Sequence, residues 1–294
     1  MRLISCRTAA GETLGVVDGD RWLPAAELVR GGPATMAQLI AGGAPALAAL
    51  RDSFRESGIA GLGHPLADAD LLAPLPRPGK VVAIGRNYRE HTAEEGVEPP
   101  PAPLIFAKWP TSVVGPGAEI RWDPELSGQV DYEAELAVVI GQAARRVRTA
   151  DALDHVLGYT CLNDVSARDI QFGDGQWVRG KSLDTFCPMG PVLVTADEIQ
   201  DPQDLAICCT VDGERVQDAR TSAMYFGVAE IISYCSFSFT LEPGDVIATG
   251  TPGGVGVFRD PPRFLGEGNR VVVEIERIGR LENVCRLERQ GAVA

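Results

Sequence analysis

DYEAELAVVIG, running from Asp131 to Gly141, places two glutamates two residues apart at the head of an apolar, β-prone run. Side chains along a strand repeat with a period of two, so Glu133 and Glu135 point to one face. Two like charges held that close call for a cation. The segment GYTCLNDVSARDIQ from Gly158 offers a third carboxylate in Asp164. Three oxygen donors with no Cys or His among them describe a site for a hard divalent ion, Mg²⁺ or Mn²⁺ first and Ca²⁺ after them. The plainer alternative is one or two surface carboxylates on a strand exposed on one face. Against it, Leu136, Val138 and Ile140 alternate with Glu135, Ala137 and Val139, so the glutamate face continues into small apolar residues and reads as half-buried. Burying two carboxylates without compensation costs several kcal/mol.

Three further segments carry chemistry. In GRNYREHTAEEG from Gly85, a strand ends at Gly85 and a helix is expected from about Tyr88, which puts His91 and Glu94 three apart on one helical face. A carboxylate at that spacing orients an imidazole and raises its basicity, the requirement for a general base acting through water. The alternative is an exposed histidine with an ordinary contact along a solvated helix. GQWVRGKSLDTFCPMGP places Lys181 after Gly180 in an expected turn, either as a surface Lys or as a cation for a substrate oxyanion. GDVIATGTPGGVG from Gly244 reads as a strand followed by a glycine loop. Its backbone N–H groups suit an anionic substrate, with Thr251 donating a hydroxyl, or else form a tight turn. It is no Walker loop, because no Gly-Lys-Ser/Thr follows.

A chain of 294 residues, 45% of them hydrophobic, can bury a full-sized core, and this length suits one large domain with a small one. A formal net charge of −13 and the lack of any Lys/Arg run argue against nucleic acid as a partner. With no apolar run approaching a membrane span and no signal-type segment after Met1, the expected setting is soluble and cytoplasmic. The 7 cysteines form no C-x-x-C pair, so they read as small buried apolar residues, neither zinc ligands nor a disulfide framework. Adjacent Cys208 and Cys209 point to opposite faces of a strand and do not make a redox pair. Only Lys80, Lys108 and Lys181 are lysines among 27 basic residues, so a Lys inside a motif is read as chosen for its ammonium group.

The first segment alternates short strands (from Leu3, from Leu14, and Arg21 to Pro24) with two Ala/Leu-rich helical stretches up to about Phe54. The proline-rich connector Ala73-Pro74-Leu75-Pro76-Arg77-Pro78-Gly79 follows, and the domain boundary is placed there, giving residues 1–73 and 74–294. Beyond it, short Val/Ile-rich strands separated by Gly, Pro or Asp turns suit a barrel or folded sheet. Helices are expected near Tyr88–Glu95, Ala150–Val156, Val165–Gln171 and Ser222–Ser233, packed outside. The loops Glu95–Pro103 and Asp260–Gly266 are expected to build the distal part of the pocket.

Taken together and in this order, GRNYREH, DYEAELAVVIG, NDVSARDIQ, RGKS and GDVIATGTPGGVG resemble the fumarylacetoacetate hydrolase superfamily over about residues 74–290. The branch most similar holds acylpyruvases, oxaloacetate decarboxylases and 2-hydroxyhepta-2,4-diene-1,7-dioate isomerases. The resemblance implies a mixed, β-rich fold: a fumarylacetoacetate hydrolase C-terminal-like β-roll or barrel with peripheral helices, plus a small α/β N-terminal domain. It implies that Glu133, Glu135 and Asp164 bind Mg²⁺ or Mn²⁺, that Arg168 and Gln171 shape the substrate pocket, and that Lys181 and Thr251 contact the substrate or its oxyanion. His91 and Glu94 match a dyad that activates water from a helix ordered by ligand. The expected reaction is metal-dependent hydrolysis of the C–C bond of a 2,4-dioxo acid (acylpyruvate, fumarylpyruvate or a diketo sugar acid) to pyruvate and a carboxylic acid. The alternative is oxaloacetate decarboxylation or isomerisation of a 2-hydroxydienoate dioate, since a cation that chelates a 2-keto acid is an electron sink for an enolate in each case. A metal-stabilised binding module without activity is the reading from another class. The resemblance also implies a homodimer acting on a small-molecule keto acid.

Overall fold

Strand Ala134–Ile140 is buried along its entire length. Leu136, Val138 and Ile140 enter one core with Ile207, Cys209 and Val271, while Ala137 and Val139 enter another with Leu39, Leu50, Val81 and Ala248. The half-buried face expected from the sequence is therefore wholly enclosed, because cover lies on both sides of the strand. The computed structural model describes residues 1–59 and 61–288. Residues 289–294, which the second expected domain includes, lie outside the described residues.

The large sheet has 12 strands, ten on one path, with Asp70–Leu71 and Val113–Val114 paired off it. Its path runs His64–Pro65, Arg21–Pro24, Gly11–Asp18, Arg2–Thr8, Cys187–Thr195, Val156–Asn163, Ala134–Ile140, Val246–Ala248, Val81–Gly85 and Leu104–Lys108. Neighbours along it are antiparallel except where Val246–Ala248 meets Val81–Gly85. A five-stranded sheet (Glu214–Arg220, Ala206–Val211, Arg270–Ile275, Gly279–Leu287, Glu119–Trp122) packs over the first core. The fold is mixed and β-rich with peripheral helices, as expected. Among the described residues the long path ends on two edges and does not close into a barrel. The N-terminal segment extends the same sheet, Arg2 pairing with Val194 and Leu3 with Leu193.

Helix boundaries move where capping decides them. The helix expected from Ser222 spans Val228–Ser238, because the Glu230 carboxylate accepts from Gly227 N–H at 2.8 Å and fixes the first turn there. Ala150–Val156 is a 3₁₀ segment, Thr149–His155, and the helix expected near Val165 begins at Arg168. The second N-terminal helix, Met36–Ser57, is capped by Thr35, whose hydroxyl accepts from Gln38 N–H at 3.2 Å, and breaks at Gly43, whose φ is 59°. Strands Glu119–Trp122 and Gly279–Leu287 were not anticipated; the second alternates charge with apolar residues and its buried face is Leu281, Asn283 and Cys285. All seven cysteines are free and buried. No helix among the described residues is long and apolar enough to cross a membrane.

Close backbone approach beside the central strands admits only glycine at one point. A Cβ on Gly158 would lie 2.2 Å from the Val194 carbonyl oxygen on the neighbouring strand. Overfilling a packed interior costs about 1–3 kcal/mol. Gly158→Ala is therefore expected to lower the urea midpoint by that stability while leaving the m-value unchanged, as measured by equilibrium denaturation.

Candidate active site

Antiparallel pairing of Ala134–Ile140 with Val156–Asn163 assembles the acidic trio. Register sets Ala134 opposite Asn163 and Glu135 opposite Leu162, so the head of one strand meets the tail of the other. Two bonds lock that junction: Asp164 N–H donates to the Glu133 carbonyl at 2.9 Å, and Glu133 N–H donates to the Asn163 side chain at 3.0 Å. Glu133, Glu135 and Asp164 are all buried, and one carboxylate oxygen from each lies within 4.8 Å of the others.

Cations surround two of the three. Lys181 Nζ sits 2.7 Å from Glu133 Oε2 and 2.9 Å from Asp164 Oδ2. Lys108 Nζ donates to Asp164 Oδ1 at 2.6 Å and also to the carbonyls of Val165 and Lys181. Arg168 bridges Glu133 Oε1 at 2.7 Å and Asp131 Oδ2 at 2.9 Å. Among the described residues Glu135 forms no ion pair; its Oε2 accepts the Gly250 N–H at 2.8 Å. Four buried carboxylates (Asp131 included) thus face three buried cations, and the unmatched charge falls on Glu135.

The proton affinities follow. Burial pushes the Glu133 carboxyl up, but Lys181 and Arg168 outweigh it and bring it to about 2. Burial, then Asp164 and Glu133, hold Glu135 well above the usual carboxylate range. Burial alone would lower Lys181, yet Asp164 and Glu133 keep its ammonium group more firmly protonated than usual. An all-oxygen donor set with one uncompensated carboxylate fits a hard divalent cation.

The second constellation lies on helix Arg89–Glu95. His91 Nδ1 is 2.7 Å from Glu94 Oε1, and Glu94 Oε2 accepts the Gly254 N–H at 2.6 Å. His91 is buried and lines a cleft of about 410 Å³, open mouth included, together with Glu133, Glu135, Arg168 and Lys181. Gln171 and Thr251 line it too. Gln171 Oε1 accepts from Arg168 Nη1 at 3.0 Å, and the Thr251 hydroxyl accepts from Gln217 Nε2 at 2.8 Å. Seven of the nine residues singled out in the sequence line the cleft, and the other two adjoin it, Glu94 through His91 and Asp164 through Lys181 and the two glutamates.

Two local readings change. Lys181 ends the short helix Val178–Lys181 instead of sitting in a turn; Gly180 permits this, since a Cβ there would come within 2.8 Å of the Ala167 carbonyl and the Gln171 nitrogen. The glycine loop spends its N–H groups on the protein's own carboxylates: Gly254 on Glu94, Gly256 and Val257 on Asp131. Of the loops expected to form the distal pocket, Glu95 lines the cleft and Asp260–Gly266 does not. Sequence reading missed Lys108, Asp131, Arg86 and Gln217. The scarcity of lysine was a signal for Lys108; Asp131 stood unnoticed at the head of the quoted motif.

A family model described as fumarylacetoacetate (FAA) hydrolase C-terminal matches residues 80–286. The chain belongs to the fumarylacetoacetate hydrolase family. Among fumarylacetoacetate hydrolase family relatives, the mitochondrial oxaloacetate tautomerase FAHD2B of Bos taurus is 49% identical over 221 residues, 74% of this chain and 70% of that protein. The oxaloacetate tautomerase YisK of Bacillus subtilis is 47% identical over 223 residues, 75% of this chain and 74% of that one. The crystal structure of a maleylpyruvate hydrolase from Sphingobium sp. SYK-6 superposes with a TM-score of 0.81 at 32% identity, covering 98% of this chain and 100% of the other.

Because the folded chain holds the Glu135 proton more tightly than the unfolded chain does, protein stripped of divalent ions loses stability as pH rises from the ordinary carboxylate range through the elevated Glu135 value. Cation binding must release that proton, so stabilisation by Mn²⁺ or Mg²⁺ grows over the same window. Thermal denaturation from about pH 5 to pH 8, in chelator and in excess ion, checks this. At a hundredfold excess over Kd the ion adds about 2.7 kcal/mol. Glu135→Gln is expected to flatten the chelator profile and remove most of that gain.

Proposed function

We propose that this protein is a keto–enol tautomerase of a short 2-keto dicarboxylate of the oxaloacetate class. The observation that carries the reading is the held imidazole of His91, buried at the cleft wall with Nδ1 fixed by Glu94 at 2.7 Å. An ionised carboxylate only accepts, so Nδ1 bears the proton and the lone pair is left at Nε2. In the keto-to-enol direction Nε2 takes a proton from C3, the carbon next to the keto group, and the imidazolium so formed returns it to the C2 oxygen; ketonisation reverses both transfers. Glu94 steadies the imidazolium, and its bond to Gly254 N–H keeps it from following the ring.

Other residues bind and polarise. Lys181 lines the cleft as an ammonium group and is placed to donate to an oxyanion. Among the described residues the buried Nη2 of Arg168 has no hydrogen-bond partner, which leaves a donor for a substrate carboxylate. Thr251, accepting from Gln217, keeps its own hydroxyl proton to give. Glu133, Glu135 and Asp164 would hold a divalent ion, which would supply Lewis-acid polarisation of a 2-keto acid.

Two relatives named as oxaloacetate tautomerases, at 49% and 47% identity, support this reading. Hydrolysis of a 2,4-dioxo acid, the first expectation from the sequence, uses the same dyad to activate water, and the likeness to a maleylpyruvate hydrolase at 32% identity supports it less strongly. Tautomerisation asks for one proton relay and no ordered nucleophile.

With Mg²⁺ or Mn²⁺, the protein is expected to accelerate decay of the ultraviolet absorbance of enol-oxaloacetate without matching release of pyruvate. His91→Asn should lower kcat by about 10²–10⁴, the usual contribution of a general acid–base, while the thermal shift produced by the ion persists. Faster pyruvate release from an acylpyruvate than enol decay would replace tautomerisation by hydrolysis, and full activity in His91→Asn would remove the dyad from the mechanism.

A further inference from the structure

Arg86 stands at the end of strand Val81–Gly85 with a φ of 56°, a left-handed conformation that a residue with a side chain adopts only under constraint. That backbone turns its guanidinium over the Trp177 ring, 5.6 Å from the centroid. Gly85 is required beside it, because a Cβ would lie 2.4 Å from the Trp177 ring. Arg86, Gly85 and Trp177 all line the cleft that is also lined by His91, Glu133 and Glu135. Arg86 is paired with Glu95, whose Oε2 accepts from Arg86 Nε at 2.8 Å and whose Oε1 accepts from Nη2. This is the two-pronged geometry by which a guanidinium grips a carboxylate.

Arg168 is committed elsewhere: its Nε and Nη1 hold Asp131, Glu133 and Gln171, so its charge serves the inner end of the site. Among the described residues Arg86 has one acidic partner, Glu95, which also lines the cleft. A substrate with carboxylates at both ends needs a second cation beyond the one that meets its 2-keto end. We infer that Arg86 is the anchor for the distal carboxylate, and that Glu95 occupies this anchor until substrate displaces it. The exchange leaves the machinery in place, because the adjacent Glu94 is tied separately to His91 and to Gly254. The inference rests on the 2-keto dicarboxylate reading and gives it a residue for substrate length and charge.

The test compares malate with lactate, two non-enolising 2-hydroxy acids that differ by the distal carboxylate. Calorimetric titration in the presence of Mn²⁺ is run on the full chain, on Arg86→Gln and on Glu95→Gln. Arg86→Gln is expected to weaken malate binding about tenfold or more, the effect of losing a bidentate charged pair, and to leave lactate within about twofold. Glu95→Gln is expected to tighten malate several-fold by removing the competing charge. Unchanged malate binding in Arg86→Gln, or an equal loss for lactate, overturns the anchor; unchanged or weaker malate binding in Glu95→Gln overturns the displacement. The readout needs no turnover. A wild-type protein inactive on oxaloacetate that still discriminates malate from lactate through Arg86 would defeat the tautomerase reading and keep this one.

Discussion

The fold depends on keeping a cluster of carboxylates out of water. Asp131, Glu133, Glu135 and Asp164 are buried together, and an uncompensated carboxylate in such a place costs several kcal/mol. The remedy is spread across the chain: Lys108 from one strand, Arg168 from the start of a helix, Lys181 from the end of another, and backbone N–H groups from the glycine loop. Each compensating group belongs to a different element, so each element's position is fixed by charge as well as by packing. Lys108 shows the linkage clearly, since one ammonium group holds both Asp164 and the carbonyl that ends the Lys181 helix. Three cations against four carboxylates is an incomplete settlement, and the remainder is concentrated on Glu135, where a bound cation has most to gain.

How much of this was legible depended on whether the signal was local. Glu133 and Glu135 were readable because a period of two is a property of one strand. His91 and Glu94 were readable because three residues on a helix bring side chains together without help. Asp164 needed the pairing register of two strands, which no single segment encodes. The glycine loop was located correctly but its recipients were not: whether an N–H meets substrate or a protein carboxylate depends on Asp131 and Glu94 arriving from distant segments. Burial of the 134–140 strand on both faces was likewise invisible, because the cover on one side comes from N-terminal helices. Helix starts shifted to where an actual cap stood, as at Gly227 with Glu230.

The same site geometry accommodates several outcomes, and this is a physical consequence of its parts. An imidazole held by a carboxylate moves one proton, whether the proton comes from carbon or from water. In the proposed reaction Lys181 and the acidic trio address the 2-keto acid end, which the reactions considered have in common. Discrimination therefore has to come from groups that meet the remainder of the substrate, and those groups differ in kind from the inner set. The inner cations are paired with buried carboxylates, Arg168 keeping only its Nη2 free, whereas Arg86 is partly exposed and paired with a single acidic side chain on the cleft wall.

The backbone at Arg86 is constrained as well. Arg86 carries a positive φ in a segment whose neighbours, Asn87 and Gly250, are pinned by hydrogen bonds or contact: Asn87 Nδ2 donates to the Thr249 carbonyl at 2.8 Å, and a Cβ on Gly250 would lie 2.7 Å from the Asn87 Cβ. A sparsely populated backbone conformation persists only when its surroundings over-determine it. Here they do so on both sides, through Asn87 and through the Trp177 ring under the guanidinium. The exposed Arg146 and Arg277 also carry a positive φ, so what sets Arg86 apart is its place on the cleft wall over Trp177. Held between that ring and Glu95, the guanidinium presents its fork at one place in the cleft, which is what exchanging one carboxylate for another requires.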